Sequence, residues 1–311
     1  MKILLTCPPM IGQIDRFRPA FEAKNVEVVI PENFVQTLSE EQLIAILPQF
    51  DGWIIGDDPA TRRVFEAGKA GKLKAAVKWG IGVDNVDRNA LTDLKIPFSN
   101  TPYMFGGEVA DLAVGYTIAL ARYTHEIDKV IKSGGWAKPA GISLAGKIVS
   151  LVGFGDIGKN VAKRLFAMDM ILNISDPHAK DKEKYHDYNF VTFPEKLQEA
   201  DFVILACALT PENKHLINTQ SIAKMKDGVR IVNISRGGLI DENALAEGLR
   251  SKKIHSVALD VFETEPLPLN SELRNFENTI FGSHNGSNTI DAVVRASRKA
   301  MSLLFEFLGL E

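Results

Sequence analysis

Three side chains of different chemistry follow three separate apolar runs in the C-terminal half of this chain. They are a guanidinium in Asn233-Ile-Ser-Arg236-Gly-Gly238, a carboxylate in Asp260-Val-Phe-Glu-Thr-Glu265-Pro266, and an imidazole in Ser283-His284-Asn-Gly286. The runs themselves, 229–234, 255–261 and 279–282, are short and apolar, so each reads as a strand. In an open parallel sheet, ligands bind at the carboxyl ends of the strands, and all three groups arrive there. Those types suffice for hydride transfer at an alcohol carbon. The fixed fork of Arg236 holds a carboxylate in bidentate fashion while polarising the neighbouring carbonyl oxygen. His284 takes the hydroxyl proton as hydride leaves and returns it in the reductive direction. A nearby carboxylate favours the imidazolium and raises the histidine pKa, and Glu265 is the best candidate for that partner. Taken singly, each residue has a plain structural reading: a loop histidine, a solvated acid before a proline, an ion pair at a helix start. Their joint arrival argues for a site.

A second pattern names what would accept the hydride. The apolar run Lys147-Ile-Val-Ser-Leu-Val152 leads into Gly153-Phe154-Gly155-Asp156-Ile157-Gly158, and a helix-patterned stretch with Val161, Leu165, Phe166 and Met170 follows. Glycines recur in many turns, so the motif alone is weak; strand before and helix after make it a dinucleotide turn. The first glycine permits the turn, the second lets backbone approach a pyrophosphate, and the third lets helix pack on strand, with the helix N-terminus facing the phosphates. The next apolar run ends at Asp176, 18 residues past Gly158. A carboxylate there accepts from ribose hydroxyls and repels a 2′-phosphate, which favours NAD over NADP. His178, Lys180 and Lys182 just beyond it soften that preference. Thr210 and Ser235, following the runs 202–208 and 229–234, and Asp260 complete the set of candidate cofactor contacts.

Residues 1–99 alternate apolar runs (2–5, 26–30, 52–55, 75–78, 96–99) with helix-like stretches (14–24, 39–47, 60–67, 86–94). That rhythm predicts βα repeats on a parallel sheet. A long apolar helix over 108–123 comes next, with a surface suited to packing between domains or subunits. The second series of runs (147–152, 171–175, 190–193, 202–208, 229–234, 255–261, 279–282) supplies a complete dinucleotide-binding sheet. The last helix, 289–308, has no strand to lead into, and is expected to return to the first domain. The fold class is therefore α/β, with two doubly wound parallel-sheet domains, one Rossmann-like and one flavodoxin-like, and an active-site cleft between them. The expected division is 1–99 plus 287–311 for the substrate domain and 100–286 for the NAD domain.

Composition sets outer bounds. At 311 residues and 45% hydrophobic content the chain fills two cores, and 36 basic against 39 acidic residues, a net −3, give no reason to expect nucleic acid or an anionic membrane as partner. Cys7 and Cys207 read as buried reduced thiols, with no metal spacing, and no run reaches the roughly 18 apolar residues of a membrane span. A cytoplasmic setting and no metal are the expectations.

On these residues the chain resembles the D-isomer-specific 2-hydroxyacid dehydrogenases, the family of phosphoglycerate dehydrogenase and glyoxylate/hydroxypyruvate reductase. The likeness spans nearly the whole length: Gly80-Ile-Gly-Val-Asp-Asn-Val-Asp87, Asn100-Thr-Pro102, Val109-Ala-Asp111, the glycine turn, Val232 to Gly238, Ala258 to Pro266, and Ser283-His284. The resemblance implies that Arg236, Glu265 and His284 are the catalytic trio and that Asp260 contacts the nicotinamide carboxamide. It also implies that the backbone N–H groups of Ile81 and Gly82 bind the substrate carboxylate, that the C-terminal helix rejoins the first domain, and that the protein is a homodimer.

Departures from the family pattern bear on substrate. Where phosphoglycerate enzymes often place an arginine for the phosphate, this chain has Gly56-Asp57-Asp58. Lys78, Arg62, Arg63 and Lys138 are the cations that can replace it, and Lys78 is taken as a substrate contact. Tyr103-Met-Phe105 puts bulk where the family more often has glycine, and Ala206 and Ala208 replace the family's His and Pro. The sequence therefore predicts an NAD-dependent oxidoreductase for a small D-2-hydroxy acid and its 2-oxo acid, phosphorylated or not, with a glyoxylate/hydroxypyruvate reductase as the alternative. A reading of another class, an NADH-sensing corepressor-like module that binds partner proteins, keeps the same residues.

Overall fold

The structure is a computed structural model that describes residues 1–310. It consists of two compact units, Met1–Phe105 with the segment from Asn288 onward, and Gly106–Ser287.

In the first unit, strands β1 (Lys2–Leu5), β2 (Glu27–Val29), β3 (Gly52–Ile55), β4 (Ala75–Lys78) and β5 (Phe98–Asn100) form a sheet in the order β2-β1-β3-β4-β5. Every pairing is parallel. Strands β3 and β4 are buried along their whole length, as strands covered by helices on both faces must be. Helix starts are written in the sequence: Ser39 and Gln42 form a reciprocal capping box for Glu40–Ile46, and Thr61 caps Arg62–Ala70. The single helix expected over 14–24 is instead a short turn at Ile14–Arg16 followed by a helix at Arg18–Glu22. Pro19, lacking an N–H, can sit only in a first turn, so the helix restarts there.

The C-terminal helix Ile290–Phe307 packs on β3 and β4. Gly52 makes that possible: a β carbon on it would stand 3.2 Å from Leu304 and 3.3 Å from Leu308. Thr289 caps this helix, and the Trp79 ring N–H donates to Ser297 at 3.1 Å.

The second unit holds β6 (Ile148–Val152), β7 (Ile171–Ser175), β8 (Asn189–Phe190), β9 (Phe202–Leu205), β10 (Val229–Asn233), β11 (Ile254–Leu259) and β12 (Thr279–Phe281). The order β12-β11-β10-β9-β6-β7-β8, all parallel, is the dinucleotide-binding arrangement with a seventh strand added. The strand expected at 190–193 ends at Phe190, because Thr192 N–H turns to the Glu195 carboxylate at 3.1 Å. The apolar helix Gly106–Arg122 lies against the helix Asp156–Phe166 and on β10 and β11, burying Val109, Ala113, Leu120 and Ala121. Among the described residues no helix is long and apolar enough to cross a membrane.

Candidate active site

The glycine turn follows β6, and each of its glycines meets a different requirement. Gly153 has φ +99°, and a β carbon on it would lie 2.6 Å from the backbone of Ala206 and Cys207. A β carbon on Gly158 would run into the Gly153 carbonyl, whereas one on Gly155 would meet nothing within 4 Å. The first and third glycines are therefore demanded by packing, and the second leaves open space over a helix start that no side chain caps. Uncapped N–H groups facing open space fit a pyrophosphate.

Asp176 closes the other side of the turn. One oxygen of its carboxylate accepts from Phe154 N–H and the other from His178 N–H, both at 2.7 Å. Each oxygen keeps a lone pair for a ribose hydroxyl. The Phe154 side chain is buried in a ring cluster with Tyr185 and Phe190, and Lys182 lies over the Phe190 ring. The Asp156 carboxylate points back to Gly106, at the start of the helix Gly106–Arg122, where the helix dipole favours an anion. Phe154 and Asp156 therefore offer the turn their backbone. Exposed Thr210 caps a short turn with Asn213, and burial pushes the Cys207 thiol up to about 11, so it stays protonated and is no nucleophile.

The strand ends of β10, β11 and β12 bring two of the three reactive side chains into direct contact. His284 Nδ1 lies 2.8 Å from Glu265 Oε2, while Glu265 Oε1 accepts from Phe262 N–H at 3.0 Å. The carboxylate is thus aimed by its own loop, and in turn it assigns Nδ1 of the ring to itself. Arg236 follows β10. Its Nη1 donates to the Ser235 carbonyl at 2.8 Å, and its backbone is held by buried Asn233, whose amide donates to Arg236 O at 2.9 Å and accepts from Ser235 N–H at 3.0 Å. Gly237 lets this segment touch the Glu265 loop: a β carbon there would collide with the Phe262 carbonyl group.

Asp260, only 2% exposed, holds the histidine loop. Its carboxylate accepts from Asn285 N–H at 3.1 Å, from Gly286 N–H at 2.8 Å and from the Tyr116 hydroxyl, and its carbonyl accepts from His284 N–H at 2.7 Å. Burial, then the Asp260 charge and this hydrogen bond, push the Tyr116 phenol far up, so it remains a donor. His284 itself sits at φ +54°, a conformation this set of bonds sustains. Three donors leave the carboxylate one lone pair for a carboxamide.

In the first unit, the loop after β4 is pinned at both ends. Gly80, at φ +132°, donates to Thr101 Oγ1 at 2.8 Å, Asn100 Nδ2 donates to Ile81 O at 2.8 Å, and Asn85 Nδ2 donates to Gly56 O and Asp58 O at 3.1 and 2.7 Å. The N–H groups of half-buried Ile81 and Gly82 have no acceptor among the described residues. Two adjacent donors on a fixed loop suit a carboxylate. Of the four candidate cations, Arg62 pairs with Asp93, Arg63 with Glu40, and Lys138 is exposed. Lys78 alone is buried, with Nζ on Asp57 Oδ1 at 2.9 Å and on the Gly56 carbonyl.

Asn233, Asn85, Asn100 and Thr101 stand in runs whose pattern is informative, yet nothing in their spacing gives them a role. Tyr116 had one faint signal, a polar tip in an otherwise apolar helix.

Fold and strand ends together define a nicotinamide-dependent oxidoreductase. Residues 114–286 match the model of the D-isomer specific 2-hydroxyacid dehydrogenase NAD binding domain. A hydroxypyruvate reductase of Thermotoga maritima is 37% identical over 278 residues, 88% of this chain and 90% of that protein. A chloroplastic D-3-phosphoglycerate dehydrogenase of Arabidopsis thaliana is 37% identical over 82% of this chain, which spans 41% of its length. Among solved structures, an NAD-dependent formate dehydrogenase of Staphylococcus aureus in complex with NAD superposes with a TM-score of 0.87 at 25% identity, covering 99% of this chain and 96% of that one. The chain belongs to the D-isomer specific 2-hydroxyacid dehydrogenase family. It is an enzyme of that family, and its cofactor is NAD.

Proposed function

We propose that the protein interconverts a small D-2-hydroxy acid and its 2-oxo acid, with non-phosphorylated acids of the hydroxypyruvate and glyoxylate kind as its substrates. The observation that carries this is the Glu265–His284 pair at 2.8 Å on the strand ends that also carry Arg236. When bound, NADH supplies the hydride and NAD takes it up. Gly153 to Gly158 and Asp176 hold the cofactor, with Thr210, Ser235 and Asp260 as further contacts. With Nδ1 committed to Glu265, proton exchange with the substrate oxygen falls to Nε2 of His284. Arg236 binds the carboxylate and polarises the carbonyl, its backbone held by Asn233. In the first unit, the N–H groups of Ile81 and Gly82 take the carboxylate and Lys78 contacts the acid's side chain. Gly56-Asp57 in place of a phosphate-binding arginine speaks against phosphoglycerate.

The protein is further read as a cytoplasmic homodimer, with Trp136 and Ile131, 79% and 42% exposed, as the apolar surface a second copy would cover. One preparation tests both readings. NADH oxidation over a panel of 2-oxo acids should show turnover with hydroxypyruvate or glyoxylate, and light scattering should give the mass of a dimer. Tight NADH binding without turnover of any acid would favour a sensing module, and a monomer mass would remove the dimer.

A further inference from the structure

We infer that the Lys78–Asp57 pair sets the class of acid accepted: it selects a 2-oxo acid bearing a hydroxyl on C3 and rejects one bearing a phosphate there. This rests on the reading that Ile81 and Gly82 N–H take the substrate carboxylate. Lys78 ends β4 and is paired in register with Ile55 of β3, so its head reaches the residues that follow β3. The Lys78 side chain is 3% exposed while that of Asp57 is 41% exposed, so the ammonium is enclosed and its counter-charge faces outward. A β carbon on Gly80 would stand 3.8 Å from Lys78 Nζ, which places the ammonium beside the loop that presents Ile81 and Gly82. An acid held on those N–H groups by its carboxylate would extend its C3 substituent along the same loop, toward the pair.

The position of Asp57 is built, not incidental. Asn85 holds the carbonyls of Gly56 and Asp58 on either side of it. The Asp58 carboxylate is buried and accepts from Leu38 N–H at 2.9 Å and from the Thr6 hydroxyl, whose oxygen accepts from the Trp53 ring N–H at 2.9 Å. The backbone on either side of Asp57 is thus fixed, and its carboxylate is held over the ammonium by Lys78 Nζ at 2.9 Å.

The chemistry follows from the donor count. An ammonium has three N–H donors, and Gly56 and Asp57 take two of them, leaving one direction. A C3 hydroxyl is served from both sides, accepting from Lys78 and donating to Asp57. A phosphate has largely lost its second proton at neutral pH and brings a charge of about −1.5 to −2 to a pair whose own charges cancel. An acid with a bare methyl at C3 leaves both groups without a ligand partner, the situation in which hydrogen-bonding sites discriminate most strongly.

The test compares kcat/KM for NADH-dependent reduction of hydroxypyruvate, 3-phosphohydroxypyruvate and pyruvate by the wild-type protein and by Asp57→Asn. The wild type should prefer hydroxypyruvate to each of the others by at least ~10-fold. In Asp57→Asn the ratio for phosphorylated over plain hydroxypyruvate should rise ~10-fold or more, since the ammonium then stands unopposed. A wild-type preference for the phosphorylated acid, or an unchanged ratio in the variant, overturns the inference. Failure to reduce any 2-oxo acid would bring down the dehydrogenase reading with it, whereas good turnover with a flat ratio leaves that reading intact and removes only the role of Asp57. Should the variant not fold, product inhibition of the wild type decides: D-glycerate inhibiting at ~10-fold lower concentration than 3-phospho-D-glycerate supports the inference, and the reverse order overturns it.

Discussion

The carboxyl edges of the two sheets present different kinds of chemistry. At the edge of the second sheet, side chains are offered, and each is fixed by others: Glu265 by Phe262 N–H, His284 by Glu265, the Arg236 segment by Asn233, the histidine loop by Asp260 and Tyr116. At the edge of the first sheet, between Gly80 and Asn85, what is offered is backbone, two N–H groups without an acceptor among the described residues on a loop tied down by Thr101, Asn100 and Asn85. On the proposed reading, the edge of the second sheet moves a proton and polarises a carbonyl, and that of the first holds an anion. Proton transfer needs titratable groups oriented to within a few tenths of an ångström, whereas anion binding needs only donors that point the same way.

This contrast gives paired substitutions different signatures. Asn233→Ala removes both bonds that hold the Arg236 segment, and a displaced catalytic group typically costs ~100-fold, so kcat should fall by about that factor. Asn85→Ala loosens the loop of the first unit, and should instead raise KM ~10-fold with kcat nearly unchanged. Steady-state kinetics on both variants checks this, and the contrast breaks if both act on the same parameter.

A smaller effect separates the units by pH. All six histidines lie in the second unit, and burial, then the Arg230 charge, holds His255 below its ordinary value of 6.5. Its ring is engaged by the Tyr123 hydroxyl and Ser256 Oγ, each at 3.0 Å. With the folded value depressed, the unfolded chain binds the proton more readily, so stability is fully present above about pH 6.5 and declines as pH falls below it. Thermal melts from pH 7.5 to 5.5 should therefore show the wild type losing stability relative to His255→Gln, and parallel curves would remove this role of His255.

Much of this was legible from residue order. The continuous apolar runs 52–55 and 202–208 read as strands of parallel sheets; the first is a strand along its whole length, Gly52–Ile55, and the second over Phe202–Leu205. Glu265, singled out among the acids of its run as the partner of His284, is the acid bonded to it. Local chemistry explains the departures. Pro19 restarts a helix that apolar spacing alone would carry through, and Glu195 ends a strand that apolar content alone would extend. Residues that act by reaching a distant part of the chain were not legible: Tyr116 meets Asp260, and Asn85 meets Gly56, only once the strands are side by side. Nor can spacing show that an N–H lacks an acceptor, because that is a property of the folded loop.

The central claim is that the imidazole of His284, oriented by Glu265, moves the proton while other residues hold the cofactor. Its most direct test is His284→Ala, assayed for NADH-dependent reduction of hydroxypyruvate and titrated with NADH by fluorescence. Turnover should fall at least ~100-fold with NADH affinity within about 2-fold of the wild type. Undiminished turnover would contradict the assignment.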